Sequence, residues 1–171
     1  MDFFEAIAHR HSVRAFKPTE IEPEKVNRIL ETVNTAPSAG DLQAYQIYLV
    51  RSHDKRRALA RAALGQFFIA DAPIALVFCA APSISAAKYR QRGRQLYALQ
   101  DATIAAAYAQ LSAAALGLGS AWVGAFDENE VRNVIGAPGD EIPIAIIPIG
   151  YPGEIPAKTM RRSLREIVRE V

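Results

Sequence analysis

The sequence has few cysteines and no recognisable targeting segment. Its single cysteine, Cys79, cannot form an internal disulfide. Because Cys79 lies in the apolar run 73–81 without a neighbouring histidine, we interpret it as a buried, inert thiol. Low cysteine content is typical of a reducing compartment. The first residues also lack the basic and apolar regions of a secretory signal. Together these features predict a cytoplasmic protein.

Familiar catalytic signatures are also missing. The sequence contains no GxSxG, HExxH or paired-cysteine motif and no P-loop. Residues 117–120 resemble half of a dinucleotide-binding fingerprint, but they follow a predicted helix and precede a predicted strand, the reverse of the required order. His9 and His11 lack the companions of a metal site, so we expect no metal. If the protein is an enzyme, a bound cofactor should carry the chemistry.

Neither sign of charge dominates. Twenty basic and eighteen acidic residues leave a net charge of +2, which argues against nucleic acid or an anionic membrane as partner. Half of the residues are hydrophobic, as in ordinary globular proteins. We therefore expect residues 1–171 to form one domain. The alanine-rich segment 96–116 contains Gln100, Asp101 and Gln110, so we interpret it as a central helix and not as a membrane span.

Hydrophobic periodicity and turn residues predict irregularly alternating helices and strands. Helices are predicted at 2–9, 22–36, 55–64, 96–116, 128–135 and 163–168, and strands at 45–50, 73–81, 120–123 and 142–149. Pro143 and Pro148 in the last strand indicate a sheet edge or a bulge. The polar segment 83–94 is either a helix or a mobile lid. This pattern predicts an α+β fold or a mixed sandwich.

Two cationic clusters are candidates for anion binding. Arg10, Ser12 and Arg14 alternate, so in an extended segment their side chains share one face and suit a phosphate. A solvated charged turn is an equally good explanation of this spacing. The second cluster, Arg161 and Arg162 with Lys158 and Arg165, lies near the other end of the chain. The spacing does not establish whether the two clusters meet.

Four segments resemble the nitroreductase family in the family's own order. Residues 9–16 (HRHSVRAF) resemble its RRSxRxF opening, and residues 36–43 (APSAGDLQ) resemble its APSaxNxQPW loop. Residues 116–126 (LGLGSAWVGAF) resemble LGLGscWvGaf, and residues 147–152 (IPIGYP) followed by Arg161-Arg162 resemble the vPiGyP…RR ending. Each segment is weak alone, but the set spans nearly the whole chain.

The resemblance implies a fold, a cofactor and a reaction. It implies a three-layer α-β-α sandwich with a mixed, mainly antiparallel sheet around the alanine-rich helix. It also implies a homodimer with FMN at the subunit interface. NADH or NADPH would reduce FMN at N5, and a small oxidant such as a nitroaromatic, a quinone or free flavin would then react in turn. The flavin would carry the chemistry, so no catalytic side chain is expected.

The resemblance also implies which residues contact FMN. Arg10, Ser12 and Arg161 would hold the phosphate end, joined by His11 and Arg162. Arg14 would lie near the N1–C2 edge of the ring, where a cation favours hydride uptake. The loop of the other subunit would contact the flavin through Pro37, Ser38, Ala39 and Gln43. Gln66 would approach the pyrimidine edge of the flavin. Gly124 and Ala125 would offer backbone N–H groups toward N5 and O4.

The sequence departs from the family pattern at a few positions. His11 replaces the commoner arginine, Asp41 replaces asparagine, and Ala44-Tyr45 replaces Pro-Trp. The excursion before the central helix is reduced to about residues 83–95, so the oxidant is the least transferable inference. A specialised flavin enzyme that cleaves its own reduced flavin or removes halogen, a non-enzymatic flavin-binding module and a cofactor-free dimeric protein remain alternatives.

Overall fold

The computed structural model describes residues 1–157 and 159–171, so Lys158 of the second cationic cluster lies outside the described residues. The elements follow in chain order: α1 (Phe3–His9), α2 (Pro23–Asn34), β1 (Tyr45–Val50), α3 (His53–Ala62), α4 (Phe68–Asp71), β2 (Ile74–Ala80), α5 (Pro82–Arg92), α6 (Ala98–Ala115), β3 (Gly119–Ser120), α7 (Glu128–Ile135), β4 (Ile142–Gly150) and α8 (Leu164–Ile167). A 3₁₀ turn covers Ala39–Asp41, and a π-helical turn, Gly93–Tyr97, joins α5 to α6.

The four strands form one sheet in the order β1-β2-β4-β3, with every neighbouring pair antiparallel. The parallel component of the expected mixed sheet is a single bridge between Ser12 and Ser120. Strand β2 is buried along its whole length. Its side chains alternate: Leu76 and Phe78 join the core under α2 and α6, whereas Val77 joins the core under α3 and α7. The predicted three-layer sandwich is confirmed.

Helix α6 lies at the centre of the fold, as predicted. Its alanines at positions 98, 102, 105, 106, 109 and 113 are fully buried. Such small side chains let the helix approach the sheet and α2 closely. Within the ranges that the structure describes, no helix is both long and apolar enough to cross a membrane.

Strand β4, with its two prolines, contains a bulge and has a side that is only partly paired, which fits both predicted explanations. Strand β4 lies between β2 and β3, and its pairing with β2 shifts by one residue between Phe78 and Cys79. Ile144 is the extra residue of this bulge, beside Pro143. In the described chain β3 pairs only with Ile149 and Gly150 of β4, and Val123 bridges Ile146, so the rest of this side of β4 is an edge.

Several element bounds differ from the predictions. Segment 83–94 is helix α5 and continues through the π-helical turn into α6. The short strand is limited to Gly119–Ser120, and α4 has no counterpart among the predicted elements. Four residues of helix contain too little periodicity to be recognised in sequence, which is why α4 was missed.

Candidate FMN-binding site

The segment 10–16 is extended and attached to the sheet on both sides. On one side, the N–H of Val13 donates to the carbonyl of Ser120 over 3.0 Å. On the other side, the N–H of Gly153 donates to the carbonyl of Ala15 over 2.8 Å. These bonds hold the segment against β3 and against the chain that leaves β4.

The alternation predicted for this segment is present. Val13 is 5% exposed and points into the protein, so Ser12 and Arg14 lie on the opposite face. Gly119 makes the close approach possible, because a Cβ at that position would lie 2.8 Å from Val13 Cγ2. A larger residue at 119 would push the segment away from the sheet.

Arg161 of the second cationic cluster meets the first cluster in one cleft of about 480 Å³. The sequence left this meeting open, and the structure shows it. The lining residues come from the N-terminal segment and from the chain after β4: Arg10, His11, Ser12, Arg14, Glu154, Pro156, Ala157, Thr159 and Arg161. Three guanidinium groups and a hydroxyl in one cleft suit the recognition of a phosphate.

The arginines of this cleft are available for a ligand. In the described parts of the chain, the ion pairs within 4.0 Å are Lys25–Glu22 and Arg28–Glu31. None of the cleft arginines takes part in them. Guanidinium groups without a carboxylate partner attract an anion more strongly than paired ones.

One carboxylate also lines the cleft, but it binds backbone. Oε1 of Glu154 accepts the N–H of Arg14 over 2.6 Å and the N–H of Ala15 over 3.1 Å. No motif in the sequence marks Glu154 as a functional residue. The only sequence signal was an acidic residue shortly after the GYP segment, and without the fold this signal does not indicate what Glu154 contacts.

Arg162 lies apart from this cleft. Its Nη2 donates to the carbonyl of Glu166 over 3.0 Å, at helix α8. The structure therefore groups Arg161, but not Arg162, with the N-terminal arginines.

The loop 37–43 is held by a buried carboxylate on α6. Asp101 is 2% exposed, and it accepts the N–H of Ala39 over 2.9 Å and the N–H of Ala44 over 3.3 Å. The loop includes left-handed backbone at Gly40 (φ 61°) and Asp41 (φ 58°). Asp101 was recognised in the sequence only as the lone charge of an alanine-rich helix. Because a buried charge requires partners, a lone carboxylate in a helix predicted to be central could have indicated that Asp101 binds another segment.

The loop residues face a second cleft, of about 600 Å³, against the start of α6. Pro37, Ser38 and Ala39 line this cleft. The side chain of Gln43 is engaged elsewhere, because its Nε2 donates to the carbonyl of Asn34 over 3.1 Å. Its backbone N–H donates to Ser38 Oγ over 3.0 Å.

The remaining predicted residues lie in two loops, Gln66 between α3 and α4, and Gly124 and Ala125 between β3 and α7. Gly124 lines a third cleft, of about 360 Å³, with Arg94, Leu99 and other residues. Gln66 Nε2 donates to the carbonyl of Ala125 over 3.3 Å, so these two predicted residues meet. Leu99 also lines the second cleft, which makes the second and third clefts neighbours.

Within one chain the predicted residues thus form separate groups. We call the first cleft, which Arg10, Arg14 and Arg161 line, the arginine cleft, and the second cleft the loop cleft. These two clefts share no lining residue among those that the structure describes.

The single cysteine, Cys79, lies on strand β2. Cys79 is fully buried, and burial raises the pKa of its thiol to about 12. At neutral pH it is therefore protonated and a poor nucleophile. Nowhere in residues 1–157 and 159–171 do three or more His, Cys, Asp or Glu side chains gather as a metal ion would require.

Comparison with known proteins adds a family to this geometry. The model of the nitroreductase family matches residues 7–151. A putative NADH dehydrogenase/NAD(P)H nitroreductase from Methanothermobacter thermautotrophicus is 30% identical over 160 residues, which cover 91% of this chain and 80% of that protein.

Solved structures show the same fold. Nitroreductase A from Vibrio parahaemolyticus superposes with a TM-score of 0.90 at 26% identity, covering 99% of this chain and 75% of that one. An FMN-dependent nitroreductase from Clostridium difficile superposes with a TM-score of 0.77 at 28% identity, covering 95% of this chain and 93% of that one.

Proposed function

The chain belongs to the nitroreductase family, and from that membership and its arginine cleft we propose that it is an FMN-dependent NAD(P)H oxidoreductase. The observation that carries the proposal is the convergence of Arg10, Ser12, Arg14 and Arg161 on one cleft. The named relatives support it, since one is called an NAD(P)H nitroreductase and another an FMN-dependent nitroreductase.

The donor set of the cleft fits the phosphate of FMN. A phosphate monoester carries close to two negative charges at neutral pH. Arg10 and Arg161 supply bidentate donors without a carboxylate partner in the described chain, and Ser12 adds a hydroxyl. We assign these residues to the phosphate end, with His11 beside them. Arg162 has a smaller role in this proposal, because its guanidinium binds α8.

When bound, FMN accepts a hydride from NAD(P)H and passes reducing equivalents to a small oxidant. The protein positions the reactants and supplies fixed charge. Arg14 would provide a cation beside the ring, which would stabilise the negative charge gained on reduction. Gly124 and Ala125 offer backbone donors: in the described chain, neither N–H donates to a protein acceptor. Gln66 is placed beside them by its bond to Ala125.

We further propose a homodimer in which the loop 37–43 completes the site of the partner. The separation of the loop cleft from the arginine cleft within one chain supports this arrangement. Pro37, Ser38, Ala39 and Gln43 would then contact the flavin bound by the other subunit. Each subunit would form one FMN-binding domain over residues 1–171. The proposed use of NAD(P)H, together with the single buried cysteine, also supports a cytoplasmic location.

The absorption spectrum of purified protein, taken before and after anaerobic addition of NAD(P)H, tests the proposal. We expect a flavin spectrum that bleaches on addition. If the protein stays colourless after incubation with FMN and removal of the free flavin, FMN is not its cofactor. Bound flavin that no nicotinamide bleaches would instead favour a specialised flavin enzyme or a binding module.

A further inference from the structure

The segment 88–94 carries four cations that the proposed FMN site does not use. Lys88, Arg90, Arg92 and Arg94 are all exposed, and no acidic residue interrupts them. Over the described ranges, none of the four has a carboxylate within 4.0 Å. The segment is thus a concentrated positive charge on a chain whose net charge is only +2.

Two of these cations are ordered by a pair of tyrosines. The rings of Tyr89 and Tyr97 pack edge to face with centroids 5.1 Å apart. Lys88 Nζ lies 5.3 Å from the centroid of Tyr89. Arg92 Cζ lies 5.4 Å from the centroid of Tyr97, and Arg92 Nε donates to the Tyr97 hydroxyl over 2.9 Å. We call these four residues the tyrosine–cation cluster. Cation–π contacts and the hydrogen bond reduce the entropy that a ligand would otherwise have to remove.

The tyrosine–cation cluster lies against the loop of the second cleft. A Cβ on Gly40 would collide with the Tyr89 hydroxyl and with Lys88 Nζ, so the cluster rests directly on the loop backbone. Tyr97 also lines the second cleft, beside Pro37. Arg94 lines the third cleft together with Gly124. The tyrosine–cation cluster therefore borders the second cleft through Tyr97, and Arg94 borders the third cleft, beside the proposed backbone donor Gly124.

A patch that combines aromatic rings and unpaired cations suits a phosphorylated nucleoside. Guanidinium and ammonium groups bind phosphates, and the tyrosine rings hold Lys88 and Arg92 in position. NADPH and NADH share their bases and their pyrophosphate. They differ only in the 2′-phosphate of the adenosine, which adds nearly two negative charges.

We propose that the tyrosine–cation cluster and Arg94 bind the adenosine 2′-phosphate of the reductant, so that the protein selects NADPH over NADH. This inference rests on the proposed function, because it names the reductant of that site. The NADPH phosphate meets cations that no described carboxylate neutralises, whereas NADH leaves them without a ligand.

Anaerobic stopped-flow reduction of the FMN-loaded protein tests the selection. We expect an apparent Kd at least about tenfold lower for NADPH than for NADH, the scale of one charge-assisted contact. Lys88→Ala and Arg92→Ala should each raise the apparent Kd for NADPH by about tenfold and change that for NADH by less than about twofold. Arg57→Ala is the matched control, since Arg57 is an exposed cation on α3 away from the cluster.

Calorimetric titration with 2′,5′-adenosine diphosphate and with 5′-AMP provides a readout without redox chemistry. We expect the first to bind the holoprotein more tightly than the second, and Arg92→Ala to remove the difference. Arg92→Gln retains a donor for the Tyr97 hydroxyl without the charge. It should also lose the preference, and it replaces Arg92→Ala if thermal melting shows that the alanine variant is unfolded.

Equal reduction by NADH and NADPH, or a NADPH preference that survives both substitutions, would overturn the inference but leave the proposed function intact. Failure of both nucleotides to reduce bound FMN would overturn the proposed function. In that case, equal binding of the two adenosine nucleotides would overturn the cluster's role as well.

Discussion

Arg14 is the residue whose proposed role is electronic. Its side chain lines the arginine cleft, and its backbone is fixed by Glu154. We expect Arg14→Ala to weaken FMN binding by about tenfold and to lower the flavin's reduction potential by about 30 mV, because a cation is lost beside developing negative charge. Equilibrium titration and redox potentiometry measure the two effects, with Arg57→Ala as control. If both quantities stay unchanged, the role assigned to Arg14 is wrong.

Glu154 offers a test of positioning against charge. Both of its hydrogen bonds use Oε1, so the amide oxygen of Glu154→Gln can replace them. We expect Glu154→Gln to bind FMN at least as tightly as the parent, since a negative charge leaves the cleft. Glu154→Ala releases the backbone of Arg14 and should weaken FMN binding by about tenfold, the scale of one charge-assisted hydrogen bond. Equal losses in the two variants would contradict a positioning role.

Among the secondary structure elements, α6 has a second task besides filling the core. Its alanines bury the sheet, and its single carboxylate fastens the loop 37–43. The central helix could be predicted from the sequence because its composition is unusual over many residues, and the structure confirms it. The connection from Asp101 to the loop was not predicted, because Asp101 and Ala39 are 62 positions apart in the chain.

Asp101→Asn should loosen this connection. The asparagine amide offers one acceptor where the carboxylate offers two, and its NH₂ group would face a backbone N–H. We expect the free energy of unfolding to fall by about 1–3 kcal/mol and FMN binding to weaken as the loop loses its shape. Urea denaturation and flavin titration measure these effects. Asp71→Asn, at an exposed carboxylate on α4, should change neither. Unchanged FMN affinity in Asp101→Asn would separate the loop from the cofactor.

For the whole molecule, the position of exposed apolar side chains supports assembly. Phe3, Phe4 and Ile7 on α1 are exposed by 64%, 79% and 46%, and Leu164 on α8 by 73%. Apolar patches of this kind are unusual on monomeric proteins. They lie at the two ends of the chain, whose adjoining segments form the arginine cleft.

We expect light scattering to give twice the chain mass of 18.7 kDa. Phe4→Glu should shift the protein toward the monomer, because burying a charge in an apolar interface is costly. It should weaken FMN binding in parallel, because the loop 37–43 of each proposed site comes from the partner. Leu64→Glu, at an exposed apolar residue after α3, is the matched control. A monomer that keeps full FMN affinity would overturn the shared site.

The sequence by itself determined the local elements and the chemical character of the candidate site. Hydrophobic period, glycines and prolines act over a few residues, so α2, α6, β1 and β2 were predictable. The alternation of Arg10, Ser12 and Arg14 was readable for the same reason. The prolines of β4 predicted a bulge or an edge, but the strand order could not be predicted, because it depends on packing and not on the strand's own residues.

Only the tertiary structure decided which distant groups meet. Glu154 and Arg14 are 140 positions apart, and the chain leaving β4 has to pair with segment 10–16 before they touch. The same pairing brought Arg161 to the N-terminal arginines in one cleft and left Arg162 outside it. Such contacts are set by the burial of side chains from every layer of the sandwich at once, and no local stretch of sequence contains that information.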